Sequence, residues 1–195
     1  DSITAMCLRD GIGTESDGEQ ALEWLERSAA QGYHEAQFLL GVYHLHGGMD
    51  GVEEDEAEGL RLLELAVEQH DHDGEYFLGM HLLNLPGEGT DAEKRGFLLL
   101  QAAALSGVAK AEYELGRCLY FGVGTEANRE EGFSWVSRAA EAGLADAQDF
   151  TGMCCIYGTG TETDETAGIQ WLEKAAEQEL PSGLFHLGDE YATSS

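Results

Sequence analysis

Residues 121–143 read FGVGTEANREEGFSWVSRAAEAG. A glycine-rich turn, GVGT, runs straight into a segment in which Gly132, Trp135, Val136 and Ala139 recur at i, i+3, i+4 and i+7, the spacing of one helix face. Such a turn is either a phosphate cradle, which would make the chain a nucleotide-binding enzyme, or the joint between units of a repeat, which would make it a scaffold. A phosphate loop needs G-x-x-x-x-G-K-S/T after a strand, with the lysine reaching the phosphates. None of the four G-x-G-T turns in the chain has that lysine, and each is followed by an acid: Glu15, Asp91, Glu126 and Glu162. Acids at a helix N-terminus complement the helix dipole and repel a bound phosphate.

The repeat reading is carried by a period. Displaced by 36 residues, the stretch returns as YGTGTETDETAGIQWLEKAAEQE at 157–179. Earlier copies are GIGTESDGEQALEWLERSAAQG (11–32), the weaker GEGTDAEKRGFLLLQAAALSG (87–107) and the divergent GGMDGVEEDEAEGLRLLELAVEQH (47–70). Between them lies a second motif, AQFLLG (36–41), GEYFLG (74–79), AEYELG (111–116), AQDFTG (147–152) and GLFHLG (183–188), whose closing glycines are spaced 38, 37, 36 and 36 residues apart. A period of this length signals stacked helical hairpins. Helix A of each unit carries the Leu-Gly motif, and helix B carries Trp24, Leu62, Leu99, Trp135 or Trp171.

The combined pattern A-x-x-x-L-G…G-x-G…A/G-x-x-W-x-x-K/R-A-A-x-x-G resembles the Sel1-like repeat, a relative of the tetratricopeptide repeat, over essentially the whole chain. Residues 111–143 and 147–179 are its best copies. The resemblance implies an all-α fold: a right-handed superhelical solenoid of stacked antiparallel hairpins, with about five repeats of 36–38 residues and about eleven helices. The expected units of this single array, 1–195, are a partial 1–33, then 34–71, 72–108, 109–144, 145–180, and a terminal partial or capping helix over 181–195. The family usually has alanine three residues before the Trp position. Ala21 conforms, whereas Gly59, Gly96, Gly132 and Gly168 do not. A helical glycine costs about 1 kcal/mol against alanine, so close approach of helix A to helix B is expected there. In the turn, Gly122 should end helix A, and Thr125 or a nearby polar residue should cap helix B.

Composition bounds the partners. Among 195 residues, 38 are acidic and 10 basic, a formal charge of -28. That surface disfavours nucleic acid and anionic membranes, and it favours a basic protein partner. No apolar run approaches the ~20 residues that cross a bilayer. The chain begins at Asp1 rather than Met, so something upstream was cleaved, trimmed or left out; this is compatible with loss of an export signal, and the compartment is left open with a lean towards an exported or periplasmic place in a bacterium.

No catalytic, cofactor or metal set emerges: no nucleophile, base and oxyanion group can be assembled. Cys7, Cys118 and Cys154 share a core slot two residues after the helix-A glycine position, where free buried thiols are expected. A vicinal Cys154–Cys155 disulfide would be strained, and the paired cysteines of some Sel1-type proteins are not repeated. His70-Asp71-His72-Asp73 could hold a transition metal but falls at a turn that needs only polar residues. The acids Asp50, Glu53, Glu54, Asp55, Glu56 and Glu58 crowd one widened turn without the calcium-loop spacing; an acidic rim facing a basic partner is the functional reading, a solvated face the plain one.

In such solenoids the A-helices line the concave side that holds the ligand. The positions the family leaves variable form a stripe along them: Leu39, Val42, His46; Phe77, Met80, Asn84; Glu114, Arg117, Phe121; and Phe150, Met153, Tyr157. Eight of the twelve are apolar or aromatic, which suggests a protein partner, although neighbouring A-helices must bury some of them. Within the binding class stand an adaptor and an immunity-type inhibitor that covers the active site of a secreted toxic enzyme. An exported glycan binder is the weaker alternative, and an enzyme the contrasting class.

Overall fold

The computed structural model describes residues 18–86 and 90–193. Ten α-helices lie among them: α1 (Gly18–Ala30), α2 (His34–His46), α3 (Glu56–Val67), α4 (His72–Leu83), α5 (Asp91–Leu105), α6 (Ala109–Phe121), α7 (Arg129–Glu141), α8 (Ala145–Tyr157), α9 (Glu165–Glu177) and α10 (Pro181–Thr193). No strand occurs among the described residues. The even-numbered helices are the A-helices, and the odd-numbered ones the B-helices. Their packing gathers the chain into two compact units, Asp1–Leu78 and Gly79–Ser195, with the division inside α4. In the first, α2 packs on α1 and α3; in the second, consecutive helices from α5 to α10 pack on one another and α10 also reaches back to α8.

Four hairpins among the described residues close on a pair of glycines, one from each helix. In α8 and α9, a Cβ built on Gly152 would lie 2.9 Å from the Gly168 carbonyl oxygen, and one on Gly168 would lie 2.8 Å from that of Gly152. The same reciprocal contact joins Gly41 to Gly59, Gly79 to Gly96 and Gly116 to Gly132. The glycines that depart from the family's alanine therefore bring the two backbones into contact. The core beside these crossings is made of small and branched residues, with Leu63, Leu78, Leu100, Leu115, Val136 and Leu172 fully buried. On α10 the equivalent Gly188 has nothing within 4 Å, and Leu184, Phe185 and Tyr191 are exposed.

The turns repeat as well. Gly122 and Gly158 end α6 and α8 in the left-handed conformation, each donating its N–H to the Cys118 or Cys154 carbonyl. Helix B then begins at a polar cap: Asp55, Thr90, Asn128 and Asp164 accept from Glu58, Glu93, Glu131 and Ala167 backbone N–H groups. In the GVGT turn the cap is Asn128, three residues beyond Thr125, because Asn128 also donates its own N–H to the Leu119 carbonyl at 2.7 Å and is pinned to helix A. Asp55 and Asp164 make the same backbone bond to His44 and Cys155. At the other end of each B-helix, the N–H groups of Tyr33, Asp71, Val108, Leu144 and Leu180 bond five residues back. This closure puts the preceding residue in the left-handed region: Gly32, Gly107 and Gly143, but also His70 (φ 61°) and Glu179 (φ 59°).

Candidate functional site

Helix A has a buried polar position that sequence reading passes over. Gln37, Glu75, Glu112 and Gln148, each four residues before the helix-A glycine, are all at most 6% exposed. Gln37 and Gln148 donate to the Ala29 and Ala140 carbonyls at the end of the preceding B-helix, and accept from Gln69 and Gln178 at the end of their own hairpin. In the α6–α7 hairpin the second role passes to Arg138, which donates to Glu112 at 2.6 Å while its guanidinium lies 4.4 Å from the Trp135 ring centroid. Trp24 and Trp171 carry the equivalent cations, Arg27 and Lys174. The W-x-x-K/R signature of helix B is thus a cation–π pair. These contacts align successive hairpins and set the A-helix surface that remains.

In the first unit, that surface holds Leu39, Val42 and Phe77. Leu39 is half-buried and packs on the cluster of Leu25, Ala36, Leu40 and Leu62, so part of its role is core. Phe77 is half-buried too, edge-on to Phe38 and to Tyr76 at 5.4 Å. His34, on the same helix as Leu39, hydrogen-bonds Asp71 at 2.6 Å. Asp71 in turn accepts from the Gly74 N–H. The His-Asp-His-Asp run is accordingly built into turn geometry: His70 is the left-handed residue, Asp71 joins helices and His72 bonds Glu75. The acidic turn is solvated, with Asp50, Glu53, Glu54 and Glu56 exposed, Asp55 capping α3, and Glu58 paired with Arg61 at 2.6 Å.

The second unit brings four of the stripe residues together. Phe121, Phe150, Met153 and Tyr157 line one groove between α6 and α8, joined by Tyr120, Cys154 and Thr159; its volume is about 340 Å³. Phe121 and Tyr157 are 59% and 58% exposed, so both rings present apolar surface to solvent beside each other. The rings form an edge-on set: Phe150 meets Tyr120, Phe121 and Tyr113 at centroid distances of 5.1, 6.2 and 6.4 Å. Phe150 also packs on the Val136–Ala139–Ala147 core, which fixes the groove wall to the scaffold. Tyr120 and Thr159 went unread because each lies beside the stripe rather than on it, and Cys154 was read only as a buried core thiol. Met80 is half-buried at the other end of this unit's A-helix series.

Charge frames the groove. Glu114 accepts from Arg117 at 3.0 Å, and burial raises the Glu114 carboxyl above its ordinary range although Arg117 opposes that. Arg117 lies over Tyr113 at 5.7 Å, and Arg129 over Tyr120 at 5.5 Å. Burial, assisted by Asp146 and Glu114, pushes the Tyr113 hydroxyl up to about 12. At the far edge the Tyr157 hydroxyl donates to Glu190 at 3.4 Å, and the Glu190 and Asp189 charges raise its pKa.

The described thiols are not activated. Cys118, Cys154 and Cys155 are free and buried, and burial pushes the Cys118 thiol up to about 11 and raises the other two. Such thiols are poor nucleophiles. Cys7 lies outside the described residues. Among the described residues no group of three His, Cys, Asp or Glu side chains could hold a metal ion, and no helix is long and apolar enough to cross a membrane. The turns at 122–125 and 158–161 fold over the start of the preceding B-helix; the clefts there are lined by Glu93, Lys94 and Glu126, or by Arg129, Glu130 and Glu162, so each sets two acids against one base, a poor balance for phosphate.

The family model of the Sel1 repeat matches five segments, residues 4–33, 34–71, 72–108, 109–144 and 145–180. The fold is shared with a protective antigen of uropathogenic Escherichia coli that displays an SLR fold, at a TM-score of 0.89 and 26% identity; the match covers 99% of this chain and 42% of that one. A Sel1 repeat protein from Oxalobacter formigenes matches with a TM-score of 0.85 and 26% identity, over 98% of this chain and 77% of that one. An immunity protein from Pseudomonas aeruginosa shares the fold at a TM-score of 0.59 and 23% identity, over 93% of this chain and 66% of its own. No curated protein matches in sequence.

Proposed function

The chain belongs to the Sel1 repeat family, and from that premise we propose that it is a non-enzymatic module that binds a basic protein through its A-helix face. Sel1-repeat solenoids are in general protein-interaction scaffolds. The observation that carries the reading here is the α6–α8 groove, in which Phe121, Phe150, Met153 and Tyr157 present apolar surface to solvent on a chain of net charge -28. Aromatic and methionine side chains on a rigid support are the usual anchors of protein interfaces. Within the same unit Met80, Glu114 and Arg117 add to the contact face; in the first unit Leu39, Val42 and Phe77 are a candidate contact patch of their own, and the acids from Asp50 to Glu58 add long-range attraction for a cationic partner. Placing a photo-crosslinking residue at Phe121 tests this in cells: a partner should be trapped there and not from Ser134, an exposed position on the B-helix α7. Equal trapping from both sites, or from neither, would remove the reading.

A narrower version is an immunity-type inhibitor that covers the active site of a toxic enzyme. What favours it is the charge, since strong opposite fields raise association rates by about 10–10³, and rapid capture is what such an inhibitor needs. Co-expression with a basic secreted enzyme encoded beside it should protect the cell, and the protection should weaken when Phe121 and Tyr157 become serine.

A further inference from the structure

Building on the binding-module reading, we infer that the α6–α8 groove is an anchor pocket for one large apolar side chain of the partner, on a segment whose adjacent residues are lysine or arginine. The lining decides the first half. Tyr120, Phe121, Phe150, Met153 and Cys154 offer rings and sulfur but no free charge, in about 340 Å³, so a cation seated inside would lose its water without gaining a counter-ion. An aromatic or long aliphatic side chain instead finds edges and faces already held in place by the Phe150 contacts.

The surroundings decide the second half. The Tyr157 rim carries exposed Asp189 beside the buried Glu190 that accepts from the Tyr157 hydroxyl, and the α6 side carries exposed Asp146 near Tyr113, whereas Glu114 is held by Arg117 and Asp149 is buried against His186. Arg117 and Arg129 are the cations stacked near the groove: Arg117 is engaged by Glu114 and Tyr113, Arg129 by Tyr120. A segment that lays its apolar residue between these edges meets carboxylates on both sides, and the net charge of -28 reinforces them. Acidic flanks on the partner would be repelled.

The probe is a capped peptide with one central phenylalanine and lysines on both sides, titrated into the full chain labelled at the methionine methyl groups. The Met153 methyl should shift on binding. Replacing the phenylalanine by serine, or the lysines by glutamate, should each weaken binding by about tenfold or more. Phe121→Ser with Tyr157→Ser should abolish the shift while leaving helical circular dichroism unchanged. Binding that survives the glutamate flanks, or that survives loss of the ring, overturns the inference. If the lysine-flanked peptide leaves Met153 unmoved while the Phe121 crosslinker still traps a partner, this inference falls and the binding module stands; if neither responds, both fall.

Discussion

Gly116 and Gly132 share one crossing point: a Cβ on Gly132 would lie 2.7 Å from the Gly116 carbonyl oxygen, and a Cβ on Gly116 would lie 2.8 Å from that of Gly132. The obstacle is backbone on both sides, which cannot rotate away. Alanine at either position gains about 1 kcal/mol of helix propensity but forces the hairpin apart, at about 1–3 kcal/mol. Gly132→Ala should therefore lower the urea midpoint. Gly188→Ala, at the equivalent helix-A position with open space around it, should raise it. If both variants move the midpoint upward, the crossing tolerates a methyl group and does not hold the hairpin together.

The ends of the B-helices make a second comparison inside one molecule. His70 and Glu179 occupy the left-handed site that Gly32, Gly107 and Gly143 fill in the other repeats. A side chain in that conformation costs about 1–2 kcal/mol, partly offset by the greater freedom glycine has in the unfolded chain. His70→Gly and Glu179→Gly should each stabilise by about 0.5–1 kcal/mol in chemical denaturation. A loss of stability would mean that these side chains make contacts outweighing the backbone strain.

The repeat itself was legible because its glycines and Leu-Gly motifs recur at a nearly constant spacing, and each is tied to a geometry that few residues can adopt. The exchange of alanine for glycine at Gly59, Gly96, Gly132 and Gly168 pointed to close helix approach for the same reason. What escaped reading depends on partners far away in sequence. Gln37 and Gln148 look like surface residues, and only the carbonyls of Ala29 and Ala140 explain their burial. The groove was half legible: Phe121, Phe150, Met153 and Tyr157 fall on one stripe, but Tyr120, next to Phe121 on α6, and Thr159, in the turn after α8, lie off that periodicity. Leu39 lies on the same stripe yet packs on core, because the pattern marks a face without saying how deeply the neighbouring helix covers it.

Thr151 stands where the other A-helices carry Leu40, Leu78 and Leu115, and it is 1% exposed. Its hydroxyl has no hydrogen-bond partner. Leaving a buried hydroxyl unsatisfied costs about 1–3 kcal/mol, and valine has nearly the same shape without it. Thr151→Val should raise the thermal midpoint and leave the peptide-induced Met153 shift in place. An unchanged or lowered midpoint would show that the hydroxyl is satisfied in solution, for example by an ordered water.

Glu114 gives the stability a pH dependence whose sign is fixed by its surroundings. Its side chain is 17% exposed, and burial raises its pKa above the unfolded value despite the bond from Arg117. A carboxyl with a raised folded pKa holds its proton more tightly in the native state. Its favourable contribution is complete below the unfolded carboxyl range and is lost as pH rises through the folded value. At neutral pH the charged form is therefore a burden, which Glu114→Gln removes while keeping an acceptor for Arg117. The variant should unfold at higher urea than the parent near neutral pH, and the two should converge below about pH 3, where the parent is protonated in both states. A variant weaker than the parent at neutral pH would mean that the Arg117 ion pair outweighs the cost of burying the charge. Because Arg117 also stacks on Tyr113, next to the groove, the same variant should leave the aromatic pocket intact and weaken a lysine-flanked peptide only modestly, through the loss of one nearby negative charge.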